Sequence, residues 1–141
     1  MNIVNPLESA LAQLATNYDL IGSEVAREKP KVKAAFRTAS IKSFEYAYEL
    51  SIRLIRRRLE ASASTAQEIE GMDFKPLMRT AAEKGLIGDP VAWFLYREKR
   101  NITSHTYDET KAMDVVSVLP EFLQSAYQLL AALKAPADAP G

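Results

Sequence analysis

The chain has no cysteine and a single histidine among its 141 residues. Without thiols it can hold neither disulfides nor thiolate metal sites, and thiol-based catalysis is excluded. That usage fits a reducing compartment, and a cytoplasmic protein is predicted. An excess of charge of either sign is also missing. Eighteen Lys and Arg balance eighteen Asp and Glu, so no global field draws the chain toward nucleic acid or an anionic membrane, and any such partner has to be met by a local patch. No stretch approaches about 18 consecutive apolar residues, and the opening MNIVNPLESALAQL lacks the basic segment and unbroken apolar run of a secretion signal. No membrane partner is expected. A glycine-rich phosphate loop, a helical histidine pair for zinc, a G-x-S-x-G elbow and paired acidic ligands are all absent, so neither metal nor cofactor is predicted.

What is present is the material of a helical core. With 48% hydrophobic and 26% charged residues, the composition is that of one ordinary globular domain, placed at 1–134, with a Pro- and Ala-rich flexible tail at 135–141. Five helical segments emerge. Asn5 is a plausible N-cap with Pro6 at the first helical position, and Leu7, Leu11, Leu14, Tyr18 and Ile21 form one apolar stripe. From Lys31 to Leu59 runs a segment without Gly or Pro, carrying Phe36, Ala39, Phe44, Tyr48, Ile52, Ile55 and Leu59, a helix of roughly 40 Å. SASTAQEIEGMDF reads as a polar connection into a short helix with Pro76 at or near its start, punctuated by Gly85 and Gly88.

Asp89 and Pro90 then cap and open a fourth helix that turns Trp93, Phe94 and Tyr96 to a core. Thr106 and Glu109 have capping-box spacing, which predicts a last helix from Tyr107 to about Lys134, kinked at Pro120. The expected fold is all-α, an up-and-down four-helix bundle with an additional short helix. Phe44, Tyr46 and Tyr48 point to different sides of the second helix, which suggests a face buried against a second copy.

The chemistry-bearing residues crowd into REKRNITSHTYDE, residues 97–109. On a continuous helix Arg97 and Asn101, and Asn101 and His105, share a face, as do Arg100 and Ser104 on the neighbouring one. Arg100 and His105 are five apart, about 140° around a straight helix, and converge only if the helix ends near His105. The bland role for Asn101 and His105 is to satisfy backbone groups at a helix C-terminus. The other is a phosphate site, where arginine supplies a charged fork and histidine moves a proton near neutral pH. RLIRRRLE adds Arg53 and Arg57 on one face of the second helix, a solvated run taken alone and a phosphate-binding one if it lines the same groove as His105.

The run Arg100-Asn101-x-x-x-His105-x-Tyr107 resembles the R-x4-H-x-Y signature of the HEPN superfamily, in particular its nucleotidyltransferase substrate-binding proteins and the toxins of HEPN/MNT toxin–antitoxin pairs. KSFEYAYELSIRLIRRRLE is similar to the second-helix segment of the same branch, with its F-E-x-x-Y/F-E pattern, and the likeness extends over residues 8–134. The resemblance implies a helical homodimer whose two copies of the run face one cleft, and a minimal nucleotidyltransferase (MNT) as partner. It implies metal-independent RNA cleavage by Arg100 and His105 with Asn101 as polar helper, and AMP attachment at Tyr107; the residue types alone make Arg97, Ser104, Arg53 and Arg57 the candidate phosphate contacts. A non-catalytic subunit that binds a nucleotide for the transferase needs the same residue types and stays open.

Overall fold

The computed structural model describes residues 5–135; the tail predicted at 135–141 lies, beyond Ala135, outside the described residues. Among the described residues there are eight α-helices and one 3-10 turn, and no strand. They are α1 (Asn5–Ile21), α2 (Glu24–Glu28), α3 (Pro30–Ser62), α4 (Ala66–Glu70), α5 (Phe74–Glu83), α6 (Pro90–Asn101), the turn Thr103–His105, α7 (Glu109–Val116) and α8 (Leu119–Lys134). The fold is an all-α bundle of the four long helices α1, α3, α6 and α8, with α3 as the axis on which α1, α6, α7 and α8 pack.

Local sequence explains most boundaries. Pro30 supplies the preset φ of a first helical residue, and nothing before Ala63 interrupts α3, whose 33 residues span about 50 Å. Its buried serines, Ser40 and Ser51, return their hydroxyls to Phe36 O and Ala47 O at 2.8 Å, so polar atoms on the core face are satisfied. Asp89 accepts from Val91 N at 2.9 Å and Pro90 opens α6. Gly85, at φ 79°, closes α5. Its N–H donates to Ala82 O and that of Leu86 to Ala81 O, the paired bonds of a glycine-terminated helix.

Two expectations are corrected. The connection after α3 contains a turn-and-a-half helix, α4, because Thr65 accepts from Glu68 N and buries Ile69 beneath it. The short helix starts at Phe74, which puts Pro76 in its first turn, near the start as expected. The last helix is two. Asp108, not Thr106, caps α7 by accepting from Thr110 N and Lys111 N, while Thr106 gives its hydroxyl to Thr103 O. Pro120 does not kink a continuous helix but sits in the first turn of a new one, since its missing N–H costs least there. Ser117 helps end α7 by donating to Asp114 O at 2.6 Å.

The core is one cluster drawn from every layer. At its centre the Phe122 ring meets Phe44, Tyr96 and Trp93 edge to face, at centroid distances of 4.9, 5.3 and 5.9 Å. The Tyr96 hydroxyl leaves this apolar nest by donating to Glu121 O at 3.1 Å and lies 2.6 Å from Ser125 Oγ. Of the three aromatics spread around α3, Phe44 and Tyr48 are used inside the single chain, and Tyr46 alone is exposed.

Candidate functional site

Helix α6 ends at Asn101, and the chain passes through Ile102 into the 3-10 turn Thr103–His105. Two side chains hold that turn. Thr103 is buried, donates to Arg100 O at 2.8 Å and accepts from Arg100 Nη1 at 3.0 Å. Ion pairs brace the segment from both sides: Lys99 to Asp114 of α7 at 2.8 Å, and Arg37 of α3 to Glu109 at 3.4 Å.

Arg100 is held from α3. Its Nε donates to Glu49 Oε1 at 2.9 Å, and Nη2 lies 3.9 Å from Glu45 Oε2. Glu45 and Glu49 are one helical turn apart, so both carboxylates point the same way, at the last turn of α6. The guanidinium remains about a third exposed on its side chain. It is thus extended, oriented and partly neutralised before any ligand arrives.

Arg97, Arg100 and Asn101 line one groove of about 290 Å³ between α3, α5 and α6, together with Tyr48, Glu49, Ile52, Arg56 and Phe74. The guanidinium of Arg97 lies over the Phe74 ring, 4.4 Å from its centroid, a cation–π contact that steadies it without a carboxylate. Burial pushes the Tyr48 phenol well above the ordinary tyrosine range, Glu49 adding to the shift and Arg97 and Arg100 opposing it. The folded chain therefore keeps that proton to higher pH than the unfolded chain, and the stability it contributes is intact at neutral pH and declines once unfolded tyrosines ionise.

The remaining sequence-predicted residues are placed elsewhere. His105 is exposed and is not among the residues of the groove; its ring meets that of Tyr107 edge to face at 6.1 Å. The helix ends four residues before it, so the shared face expected for Asn101 and His105 on a continuous helix does not exist. Ser104 is exposed on the same turn. Tyr107 is 86% exposed and edges a second groove with Lys31, Arg37, Thr106 and Glu109. Arg53 and Arg57 are exposed on α3 and do not line the first groove, whereas Arg56 does, its Nη1 donating to Ile69 O at 2.8 Å. Arg58 is committed to the end of α8 through Leu133 O at 2.7 Å.

Sequence reasoning assigned no place in the site to Glu45, Tyr48, Glu49 or Phe74, although the first three fall within the F-E-x-x-Y/F-E pattern of α3. A signal existed for three of them: Glu45, Tyr48, Glu49, Ile52 and Arg56 recur at helical spacing and mark one partly polar stripe of α3. No group of three or more metal-ligating side chains occurs among the described residues, and no helix among them is long and apolar enough to cross a membrane.

This arrangement has relatives. A solved Haemophilus influenzae structure, described as revealing the fold of a substrate binding domain of a nucleotidyltransferase, superposes with a TM-score of 0.89 at 35% identity, covering 94% of this chain and 99% of that one. A crystal structure from Thermus thermophilus gives 0.72 at 28% identity, over 92% and 99% of the two chains. A Haemophilus influenzae protein named probable ribonuclease HepT is 43% identical over 95 residues, which are 67% of this chain and 65% of that protein's length. The family described as nucleotidyltransferase substrate binding protein like matches residues 3–135, nearly the whole bundle, and the chain belongs to it.

Proposed function

We propose that the chain is a ribonuclease that acts as a homodimer, the toxin of a toxin–antitoxin pair whose other member is a minimal nucleotidyltransferase. The observation that carries this reading is the preset Arg100 one 3-10 turn from an exposed histidine. The name of the 43% identical relative supports it. Cleavage by the 2′-hydroxyl needs a base for that hydroxyl, an acid for the departing 5′ oxygen and positive charge at the phosphorane. One chain offers one histidine, outside the groove of its own Arg100. Two copies related by a twofold axis supply two histidines and two arginines to one cleft, which completes the inventory. Incubated with RNA in EDTA, the purified protein is expected to cleave, and His105→Ala to cleave about a hundredfold more slowly. Undiminished cleavage by the variant removes His105 from the mechanism.

Tyr107 is the proposed point of control. Its phenol oxygen bonds to the α-phosphorus of ATP on the partner enzyme, the bond to pyrophosphate breaks, pyrophosphate leaves, and the phenol proton passes to solvent. The added AMP places negative charge two residues from His105, where it competes with RNA phosphate for Arg100. At 86% exposure the hydroxyl is open to an enzyme. Co-expression with the transferase is expected to raise the intact mass by one AMP, with no such gain in Tyr107→Phe; a gain retained in that variant locates the modification elsewhere.

A second reading is a non-catalytic subunit that binds a nucleotide for the transferase. It is favoured by the placement of Arg97, Arg100 and Asn101 in one groove without His105. Nucleotide-dependent complex formation without any RNA cleavage distinguishes it.

A further inference from the structure

The net charge of zero hides a local imbalance. Residues 27–37 hold five basic side chains, Arg27, Lys29, Lys31, Lys33 and Arg37, against the single carboxylate of Glu28. This run joins α2 to the first turns of α3. Lys31, Ala34, Arg37 and Thr38 of α3 line a groove of about 400 Å³ whose other side is Thr106, Tyr107 and Glu109. The basic end of α3 thus meets the segment that follows His105.

The two cations of the groove are open to an anion in different degrees. Lys31 is exposed and has no ion pair among the described residues. Arg37, 17% exposed on its side chain, is held by Glu109 at 3.4 Å, but that carboxylate is 74% exposed, and so open a pair contributes little and yields to phosphate. Asp108 is committed to the N–H groups of α7. Ile41 and Ala112, both buried, give the groove an apolar floor.

Tyr107 stands at the rim. Its ring covers no core, being 86% exposed, and meets the ring of His105 edge to face at 6.1 Å. Its chain neighbours Thr106, Asp108 and Glu109 are polar, which gives a protein partner no apolar patch to bury and leaves the ring face to a base. An open aromatic face beside a cationic groove suits single-stranded RNA, whose bases stack on the ring while its phosphates follow the cations.

We infer that this groove holds the RNA strand next to the point of cleavage, with one base stacked on Tyr107 and the phosphates beyond it meeting Arg37 and Lys31. The inference rests on the ribonuclease reading for its ligand, but it assigns residues that take no part in the bond-breaking step. Glu109 opposes binding, because it holds Arg37 and repels phosphate.

The test follows binding of a labelled single-stranded RNA with 2′-O-methyl sugars, which 2′-hydroxyl chemistry cannot cut, by fluorescence anisotropy of the full chain over a salt series. Lys31→Gln together with Arg37→Gln is expected to weaken binding roughly tenfold and to reduce the slope of log affinity against log salt by about one. Lys31→Gln alone, which removes no ion pair, is expected to show part of the same loss. Tyr107→Ala is expected to weaken binding roughly tenfold, and Tyr107→Phe to restore it. Phenylalanine keeps the ring and cannot carry AMP, so this pair separates stacking from control. Glu109→Gln is expected to bind about twofold more tightly, a gain that a merely bracing ion pair would not give. Lys84→Gln, just past α5, controls for total charge and is expected to bind as the parent does.

No binding by the parent, or parent affinity in the double variant or in Tyr107→Ala, overturns the inference. Loss of association with the transferase from these variants at unchanged RNA affinity overturns it too, and identifies a protein-binding face instead. Groove-dependent binding by a protein that leaves unmodified RNA intact refutes the cleavage proposal and not the groove, whereas cleavage with groove variants that bind as the parent does refutes the groove alone.

Discussion

Arg100→Gln is expected to lower RNA cleavage by roughly 10²–10³-fold while moving the melting temperature very little. The first half follows from removing a preorganised cation from the point where phosphorane charge develops. Glutamine keeps a donor at about the position of Nε but loses the charge, the fork and the reach of the two terminal nitrogens. The second half follows from the partners. The Arg100 side chain is 31% exposed, and those of Glu45 and Glu49 are 22% and 53% exposed. Ion pairs of that kind contribute about 0–1 kcal/mol, and the repulsion left between Glu45 and Glu49 is a few tenths of that unit. Cleavage rates and a thermal scan on the same preparations separate the two effects. A large fall in melting temperature would mean that Arg100 is a structural strut, and the reading of its role as chemical would be withdrawn.

The largest expected loss of stability lies at Phe122→Ala. The ring is fully buried and makes edge-to-face contacts with three other aromatics from α3 and α6. Its removal leaves a cavity that Trp93, Tyr96 and Phe44 cannot close without leaving their own contacts, and truncations of this kind cost about 3–5 kcal/mol. Against a total of about 5–15 kcal/mol for an ordinary domain, this is a fifth or more, and a fall of roughly 10–20 °C in melting temperature is expected. Tyr127→Ala, on the exposed side of the same helix at 42% exposure, is the control and is expected to stay within about 0.5 kcal/mol. Equal losses from the two variants would contradict the placement of the core.

Periodicity and proline placement made the main helices readable. The stripe Leu7, Leu11 and Leu14 and the pair Asp89–Pro90 work within a few residues of themselves, and α1, α3 and α6 lie where such local rules put them. Pro120 was different, because a proline inside an apolar pattern is compatible with both a kink and a restart. The choice fell to Ser117, whose hydroxyl takes the carbonyl of Asp114, and to Asp108, which caps better than Thr106 because one carboxylate serves two N–H groups. Helix α4 depends on the burial of Ile69, a tertiary event that its polar neighbours conceal.

The site divides along the same line. That 97–109 concentrates the chemistry is visible in residue types alone. That Arg100 reaches across 51 positions to Glu49, and that Tyr48 and Arg97 line one groove, is decided by how α3 meets α6, and no spacing within either helix encodes it. The end of α6 at Asn101 likewise separated His105 from the face that helical geometry assigns to it.

The double-carboxylate hold on Arg100 has a kinetic meaning. An anion that approaches that guanidinium competes with two glutamates already beside it, one of them bonded at 2.9 Å, so only what its own bonds add beyond theirs favours entry. Small anions of the surrounding solution gain little from the trade and leave quickly. A ligand anchored at other points can recover the difference through those contacts. The glutamates thus act as a reversible placeholder, keeping the guanidinium aligned between turnovers and filtering its visitors by how many additional contacts they make.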